Sequence, residues 1–127
     1  MMKEILLDSD IIIEFLRGNP KIRKTLRDLI SEGNRLVVTP VSAAEIHAGT
    51  RHGEEKEIDS FFSGMELREN DGRIGAKAGE YLRTYSISCG VELGDALVAA
   101  TATIHSLVLW TLNIKHYPMT DLEHLKQ

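Results

Sequence analysis

Four carboxylates and one carboxamide are the side chains of this sequence best suited to chemistry. They lie beside apolar segments typical of a protein interior, and they are Asp8, Asp10, Glu45, Asp95 and Asn113. Removing a carboxylate from water costs free energy unless a partner compensates its charge. The acids therefore either satisfy the first N–H groups of helices or share a cation.

Each acid, considered singly, has a structural role that is favoured over catalysis. In the stretch LLDSDIII, Asp8 can cap a helix that begins near Asp10. Ser42 and Glu45 have the S-x-x-E spacing of a capping box, and Asp95 stands at an ordinary N-cap position after a glycine. Capping alone would account for these acids without any ligand.

Short apolar segments alternate along the chain with segments of helical periodicity. Strands are predicted over 3–8, 35–40 and 106–111, with a weaker one over 65–70. Helices are predicted from residue 11 to Gly18 and over 20–32, 41–50, 54–64, 72–90 and 95–105, whereas the tail over 113–127 is not assigned. This alternation predicts an α/β three-layer sandwich around a central, mostly parallel sheet, built as one domain over residues 1–127.

The predicted sheet brings the acids together. The carboxyl ends of parallel strands, and the helix starts that follow them, share one edge where ligands usually bind. Asp8 ends the first strand, Glu45 is expected in the first helical turn after the second, Asp95 opens a helix, and Asn113 follows the last predicted strand. Carboxylates on one edge repel one another unless a cation lies between them, and Mg²⁺ prefers such oxygen ligands. The pattern predicts a magnesium-dependent phosphoryl-transfer or nuclease site.

Other kinds of site find little support in the sequence. It has no HExxH motif and a single cysteine, Cys89, which argues against a zinc site. It also lacks a GxGxxG motif, a P-loop and a GxSxG motif, which disfavours a dinucleotide site, a nucleotide triphosphate site and a serine hydrolase.

Composition and charge limit the compartment and the partners. With 43% hydrophobic and 27% charged residues the chain has the composition of a soluble globular protein. One cysteine allows no internal disulfide, so a cytoplasmic location is expected, and no apolar run reaches the ~20 residues of a membrane helix. The net charge of −4 argues mildly against a nucleic-acid binder. The acid-free basic stretch from Arg17 to Arg27 is either a solvated helix face or a surface that contacts phosphates.

Four segments of the sequence resemble the motifs of PIN domains. LLDSDIII resembles their opening strand and acid, VSAAEIHAG their second motif, DALVAATA their third, and LWTLNIKHY their fourth. The order and spacing of the motifs, and the length of the chain, resemble those of the small VapC-type toxins of toxin–antitoxin pairs. The resemblance implies an endoribonuclease that depends on Mg²⁺ or Mn²⁺.

The resemblance also implies roles for individual residues. Asp8, Glu45 and Asp95 match the acidic metal site, and Asn113 stands where many relatives have a fourth acid. Thr111 matches a small hydroxyl residue that lines that site and is a candidate substrate contact. Lys115 and the basic stretch that includes Arg17 are candidate contacts to the RNA backbone, while Asp10 stands where the family more often has Asn or Ser. The implied partners are an RNA substrate, a second copy of the chain and a small antitoxin whose helix covers the groove.

The sequence is also compatible with a stand-alone RNA-processing nuclease of the same fold and with two functions of other kinds. The first is a PIN-like RNA- or protein-binding module that has lost its metal, which Asn113 would favour. The second is a phosphatase of the haloacid-dehalogenase type, because such enzymes also open with a strand that leads into Asp-x-Asp, as at Asp8 and Asp10. Ile12 stands where those enzymes have Thr or Val, so this second alternative is less favoured.

Overall fold

A parallel five-stranded sheet lies at the centre of the computed structural model, which describes residues 2–126. The described strands are β1 (Glu4–Leu7), β2 (Arg35–Val38), β3 (Glu66–Leu67), β4 (Val108–Trp110) and β5 (Glu123–His124). The sheet order is β3-β2-β1-β4-β5, and each of these pairings is parallel. The first strand in the sequence therefore lies in the middle of the sheet.

Six described helices connect the strands. They are α1 (Ser9–Leu16), α2 (Pro20–Ser31), α3 (Pro40–Ala48), α4 (Glu55–Ser63), α5 (Gly72–Cys89) and α6 (Leu93–Ile104), and a short 3₁₀ turn, Ile114–His116, follows β4. Connections between parallel strands place helices on the faces of the sheet. The predicted α/β three-layer sandwich is confirmed. None of the described helices has the length and apolar character needed to cross a bilayer.

Alternation along the central strand creates two hydrophobic layers. Leu6 is buried against α5 and α6, where it shares a cluster with Ile74 and Ala99. Ile5 and Leu7 are buried on the opposite face, in a cluster with residues of α1, α2 and α4. Successive side chains of a strand point to opposite faces, so a strand covered on both sides is apolar throughout. This arrangement anchors the strand that ends at Asp8.

The start of α3 differs from the prediction. Thr39 is the N-cap, and its Oγ1 accepts a hydrogen bond of 3.2 Å from the Ser42 N–H. Ser42 lies inside the helix, where its buried hydroxyl has no hydrogen-bond partner among residues 2–126. The predicted capping box of Ser42 and Glu45 is therefore wrong, and Glu45 lies in the second turn of the helix rather than the first. The physical reason is that Pro40, which has no N–H to lose, occupies the first helical position and moves the cap to Thr39.

The start of α6 also differs from the prediction. The helix begins at Leu93 with Glu92 as its N-cap, so Asp95 is the third helical residue and not the cap. The Glu92 N–H donates a 3.3 Å hydrogen bond to Asp95 Oδ2, the reach-back of a capping box. By contrast, Asp8 is the N-cap of α1, as predicted, with its Oδ1 accepting from the Ser9 N–H at 2.9 Å.

The tail left unassigned by the sequence contains both the 3₁₀ turn and β5. Strand β5 has two residues, which pair with Val108 and Leu109 of β4. Tyr117 and Met119 are buried in the layer formed by α5 and α6. A strand this short has no periodicity to recognise, so its pairing with β4 defines it. Gln127, the last residue of the tail, lies outside the described residues.

The two hydroxyls at the start of α3 allow a direct test of the cap. Thr39→Ala should lower the free energy of unfolding by about 1–2 kcal/mol, because it removes an N-cap acceptor. Ser42→Ala should leave it unchanged or raise it, because it removes a buried hydroxyl that has no bond to lose. Urea unfolding of both variants measures the difference. Equal losses in the two variants would contradict the assignment of Thr39 as the cap.

Candidate active site

A cleft of about 310 Å³ opens at the carboxyl edge of the sheet. The residues that line it come from the ends of β1 and β4, from α3 and from the start of α6. They are Asp8, Ser9, Asp10, Glu45, Gly90, Glu92, Gly94, Asp95, Val98, Asn113, His116 and Tyr117. The structure thus brings together Asp8, Glu45, Asp95 and Asn113, the residues that the sequence placed at one sheet edge.

Asp8 is held by the strand pair that it terminates. Its N–H donates to the Trp110 carbonyl at 3.0 Å, which extends the pairing of β1 with β4 by one residue. Its side chain is 8% exposed, and Oδ2 accepts a 2.8 Å hydrogen bond from the Thr111 hydroxyl while Oδ1 accepts from the Ser9 N–H. Capping and a role in the cleft are therefore compatible for Asp8, since the same carboxylate caps α1 and lines the cleft.

Thr111 is turned toward the acids and is not among the residues that line the cleft. Its hydroxyl lies 2.8 Å from Asp8 Oδ2 and 3.3 Å from Asp10 Oδ2, and it accepts a 3.0 Å hydrogen bond from the Asn113 N–H. A hydroxyl has one proton to donate and two lone pairs. Thr111 therefore links the end of β1 to the backbone that carries Asn113.

Burial and mutual repulsion raise the pKa values of several cleft carboxyls. Desolvation first, and the charge of Asp8 second, raise the pKa of Asp10 to about 6, although hydrogen bonds to its carboxylate partly offset both effects. Partial burial also raises the pKa values of Glu45 and Asp95, with additional contributions from the charge of Asp8. Around Asp95, the nearby His116 partly offsets this increase. The cleft thus concentrates negative charge without a lysine or arginine among its lining residues.

The donor set of the cleft suits a hard divalent cation. In residues 2–126, no group of three or more His, Cys, Asp and Glu side chains is already arranged as a metal site. The acids instead face a common open space from several elements. Mg²⁺ and Mn²⁺ accept oxygen ligands, and Mg²⁺ commonly keeps several waters rather than a full protein shell. These residues fit such an ion, held by few direct ligands.

The two predicted basic contacts lie outside the cleft lining. Arg17 is the C-cap residue of α1, at the end away from the cleft, and its guanidinium lies 3.5 Å from the Glu14 carboxylate. Lys115 is exposed in the 3₁₀ turn, between two residues that do line the cleft. Lys115 is thus close in sequence to lining residues of the cleft, whereas Arg17 lies at the opposite end of α1 from Asp8.

Three functional-site candidates were missed by the sequence analysis. Glu92 lines the cleft next to Asp95, and its position three residues before that acid was an available signal. His116 reaches the cleft because its N–H bonds to the Asn113 carbonyl at 2.9 Å, which closes the 3₁₀ turn. Tyr117 is buried beside the acids, and burial first, then the charges of Asp8 and Asp95, raise the pKa of its hydroxyl. The last two residues end the fourth motif, LWTLNIKHY, but the sequence analysis gave neither of them a role.

Comparison with known proteins identifies the family. The PIN domain model matches residues 5–118. The chain is 37% identical over 118 residues to Ribonuclease VapC10 of Mycobacterium tuberculosis (strain H37Rv), covering 92% of this chain and 88% of the relative. It is 32% identical over 117 residues to Ribonuclease VapC19 of the same strain, covering 90% and 92%.

A solved structure has the same fold. VapBC2 from Rickettsia felis, bound to a DNA fragment from its promoter, superposes with a TM-score of 0.82 at 22% identity, covering 96% of this chain and 97% of the other. The resemblance of the four sequence motifs to those of VapC-type proteins is confirmed, and the chain belongs to the PIN domain family.

Proposed function

We propose that this protein is a divalent-metal-dependent endoribonuclease that hydrolyses RNA phosphodiester bonds as the toxin of a VapBC-type toxin–antitoxin pair. The observation that carries this proposal is the convergence of Asp8, Glu45, Asp95 and Asn113 on one cleft. The relatives that are 37% and 32% identical are named ribonucleases, which supports RNA as the substrate.

Asp8, Asp95 and Glu45 are the proposed metal ligands, with Mg²⁺ or Mn²⁺ as the ion. When bound, such an ion neutralises phosphate charge and makes a water molecule more acidic. Asp8 is oriented for this role by the Thr111 hydroxyl and the Ser9 N–H. Glu45 binds the ion directly or through water, and its carboxylate lines the cleft, where it is placed to accept a proton from the attacking water. Asn113 adds an amide group to the lining of the cleft.

The proposed RNA contacts differ in their distance from the chemistry. Lys115 is exposed and close in sequence to Asn113, where its ammonium suits a phosphate next to the scissile bond. Arg17 lies at the far end of α1, about 13.5 Å along the helix axis from Asp8, so it suits a more distant phosphate. Thr111, which the sequence analysis placed among the substrate contacts, is proposed instead to support Asp8, because its hydroxyl is occupied by the acids and the Asn113 N–H.

The proposed protein partners are an antitoxin and a second copy of the chain. Large apolar side chains next to the cleft support a protein partner at its entrance. Leu93, Leu112 and Ile114 are 62%, 52% and 60% exposed, and each is adjacent in sequence to a lining residue. Burial of such side chains against a helix would stabilise a complex. A cytoplasmic location fits these partners and the single exposed Cys89.

The phosphatase alternative is wrong, because the chain is a PIN domain. The alternative of an inactive binding module is distinguished from a nuclease by metal binding and by the activity of acid-to-amide variants.

Asp8→Asn and Asp95→Asn should each lower the rate of Mg²⁺-dependent RNA cleavage by about 100-fold or more, since loss of outer-shell partners alone costs 10- to 100-fold. Glu57→Gln, which changes an exposed acid on α4, should leave the rate unchanged. Single-turnover cleavage of a labelled RNA, with and without EDTA, measures these rates. Wild-type rates in both variants would exclude the proposed site.

Mn²⁺ at a concentration about 100 times its Kd should stabilise the wild-type protein by about 2.7 kcal/mol, because the ion binds the folded chain alone. Asp8→Asn should abolish this stabilisation, and EDTA should reverse it. Thermal unfolding with and without Mn²⁺ measures the effect. If the wild-type melting temperature does not respond to Mn²⁺, the inactive module is favoured.

The free energy of unfolding of the metal-free protein should fall as the pH rises from about 4 to about 6. The lower limit is the ordinary carboxyl pKa, and the upper limit is the raised pKa of Asp10. The raised carboxyl pKa values mean that the folded chain binds these protons more tightly than the unfolded chain, so the stabilisation present at low pH disappears as they dissociate. Glu45→Gln should raise the metal-free melting temperature at pH 7 while abolishing cleavage. A lower melting temperature in this variant would show that the acids do not repel one another.

A further inference from the structure

Asp10 connects two segments that are far apart in sequence. It is the second residue of α1, and its Oδ2 accepts a 3.0 Å hydrogen bond from the Leu112 N–H. The same oxygen lies 3.3 Å from the Thr111 hydroxyl. These bonds span 102 and 101 positions of the sequence, from the helix after β1 to the segment after β4.

Only one of the two Asp10 carboxylate oxygens, Oδ2, accepts hydrogen bonds from the described residues. Oδ1 is buried and has no hydrogen-bond partner among the described residues. The charge that acts on this carboxyl is that of another acid, Asp8, which repels it. The observed bonds therefore require a hydrogen-bond acceptor at the Oδ2 position, and neither of them requires a negative charge.

The segment that Asp10 holds carries two residues of the cleft. Thr111 bonds Asp8 on one side and the Asn113 N–H on the other. The Asn113 carbonyl then accepts from the His116 N–H at 2.9 Å. A bond at Leu112 thus restrains the backbone between Thr111 and Asn113, which decides where the Asn113 amide and the His116 ring face the cleft.

We propose that Asp10 is a positioning residue that fixes segment 111–116 through its Oδ2 acceptor, and that it is neither a metal ligand nor a proton donor. The activity part of its test rests on the proposed nuclease function. The conformational part does not, because it follows the Leu112 N–H directly.

The decisive comparison is between Asp10→Asn and Asp10→Ala. In Asp10→Asn the amide oxygen replaces Oδ2 and keeps both bonds, while the amide nitrogen occupies the place of Oδ1, which has no bond to lose. We expect its kcat for RNA cleavage to stay within about 3-fold of wild type, because the amide oxygen still accepts the Leu112 N–H at the same place, although a bond to a neutral acceptor is roughly half as strong as one to a charged acceptor. Asp10→Ala should lower kcat by about 10- to 100-fold, since a displacement of ~1 Å in a catalytic group has an effect of that order.

Metal binding separates positioning from ligation. The increase in melting temperature caused by Mn²⁺ should be the same in Asp10→Asn as in the wild type, whereas Asp8→Asn should lose it. Asp59→Ala, which removes an exposed acid on α4, serves as the matched control and should alter neither kcat nor the Mn²⁺ response.

Hydrogen exchange tests the positioning without any need for activity. The Leu112 amide should exchange faster in Asp10→Ala, because its acceptor is gone, and at the wild-type rate in Asp10→Asn and Asp59→Ala. If the wild type does not cleave RNA but the Leu112 amide exchanges as expected in the three variants, the proposed function is wrong and the positioning role of Asp10 is retained.

Two results would overturn the proposal. Loss of both cleavage and the Mn²⁺ response in Asp10→Asn would make Asp10 a metal ligand. Wild-type kcat and Leu112 protection in Asp10→Ala would show that segment 111–116 is held by other contacts. If Asp10→Ala does not fold, the comparison is made between Asp10→Asn and Asp10→Ser. The Ser side chain is too short to reach the Leu112 N–H, so hydrogen exchange at the Leu112 amide should be faster in Asp10→Ser.

Discussion

The register of β1 against β4 is the constraint on which the rest of the cleft depends. Leu7 pairs with Trp110, so Asp8 and Thr111, one residue further along, face each other at the end of the two strands. A slip of one residue in a strand pair reverses the face of every side chain. The two buried layers prevent such a slip, because Leu6 belongs to one layer and Leu7 to the other. Hydrophobic packing on both faces thus decides where a polar contact forms at the edge.

The cleft is a place where function and stability oppose each other. Partly buried acids with raised pKa values destabilise the folded chain at neutral pH, because they are held close to one another in a poorly solvated space. Desolvation and repulsion of this kind are typical of functional sites, although structural networks also produce them. A cation would relieve both effects at once. The same acids also close local hydrogen bonds, as Asp8 does with Ser9 and Asp95 with Glu92, so capping holds each carboxylate in place for a second role.

Local chemistry explains which features were predicted and which were not. The buried strands and the longer helices were predicted because apolar periodicity and Gly or Pro at their ends are local properties. Caps were predicted less well, since Ser42 and Thr39 are both acceptable cap residues and the position of Pro40 decides between them. Strand β5 was not predicted, because two residues are too few to show a hydrophobic periodicity. They form a strand only through their pairing with β4. His116 and Tyr117 reach the cleft through the 3₁₀ turn, which the sequence did not indicate.

The sequence by itself determined the fold class, the four motifs and the set of acids that meet at the sheet edge. It could do so because strand ends in a parallel sheet share one edge whatever the details of packing. Only the tertiary structure decided what Asp10 does and which way Thr111 faces. Both depend on hydrogen bonds between residues more than 100 positions apart, and such bonds form only once β1 and β4 lie side by side. Two acids separated by one residue in LLDSDIII thus have different surroundings, because Asp8 ends the strand and Asp10, in the helix that follows, bonds back to the neighbouring segment.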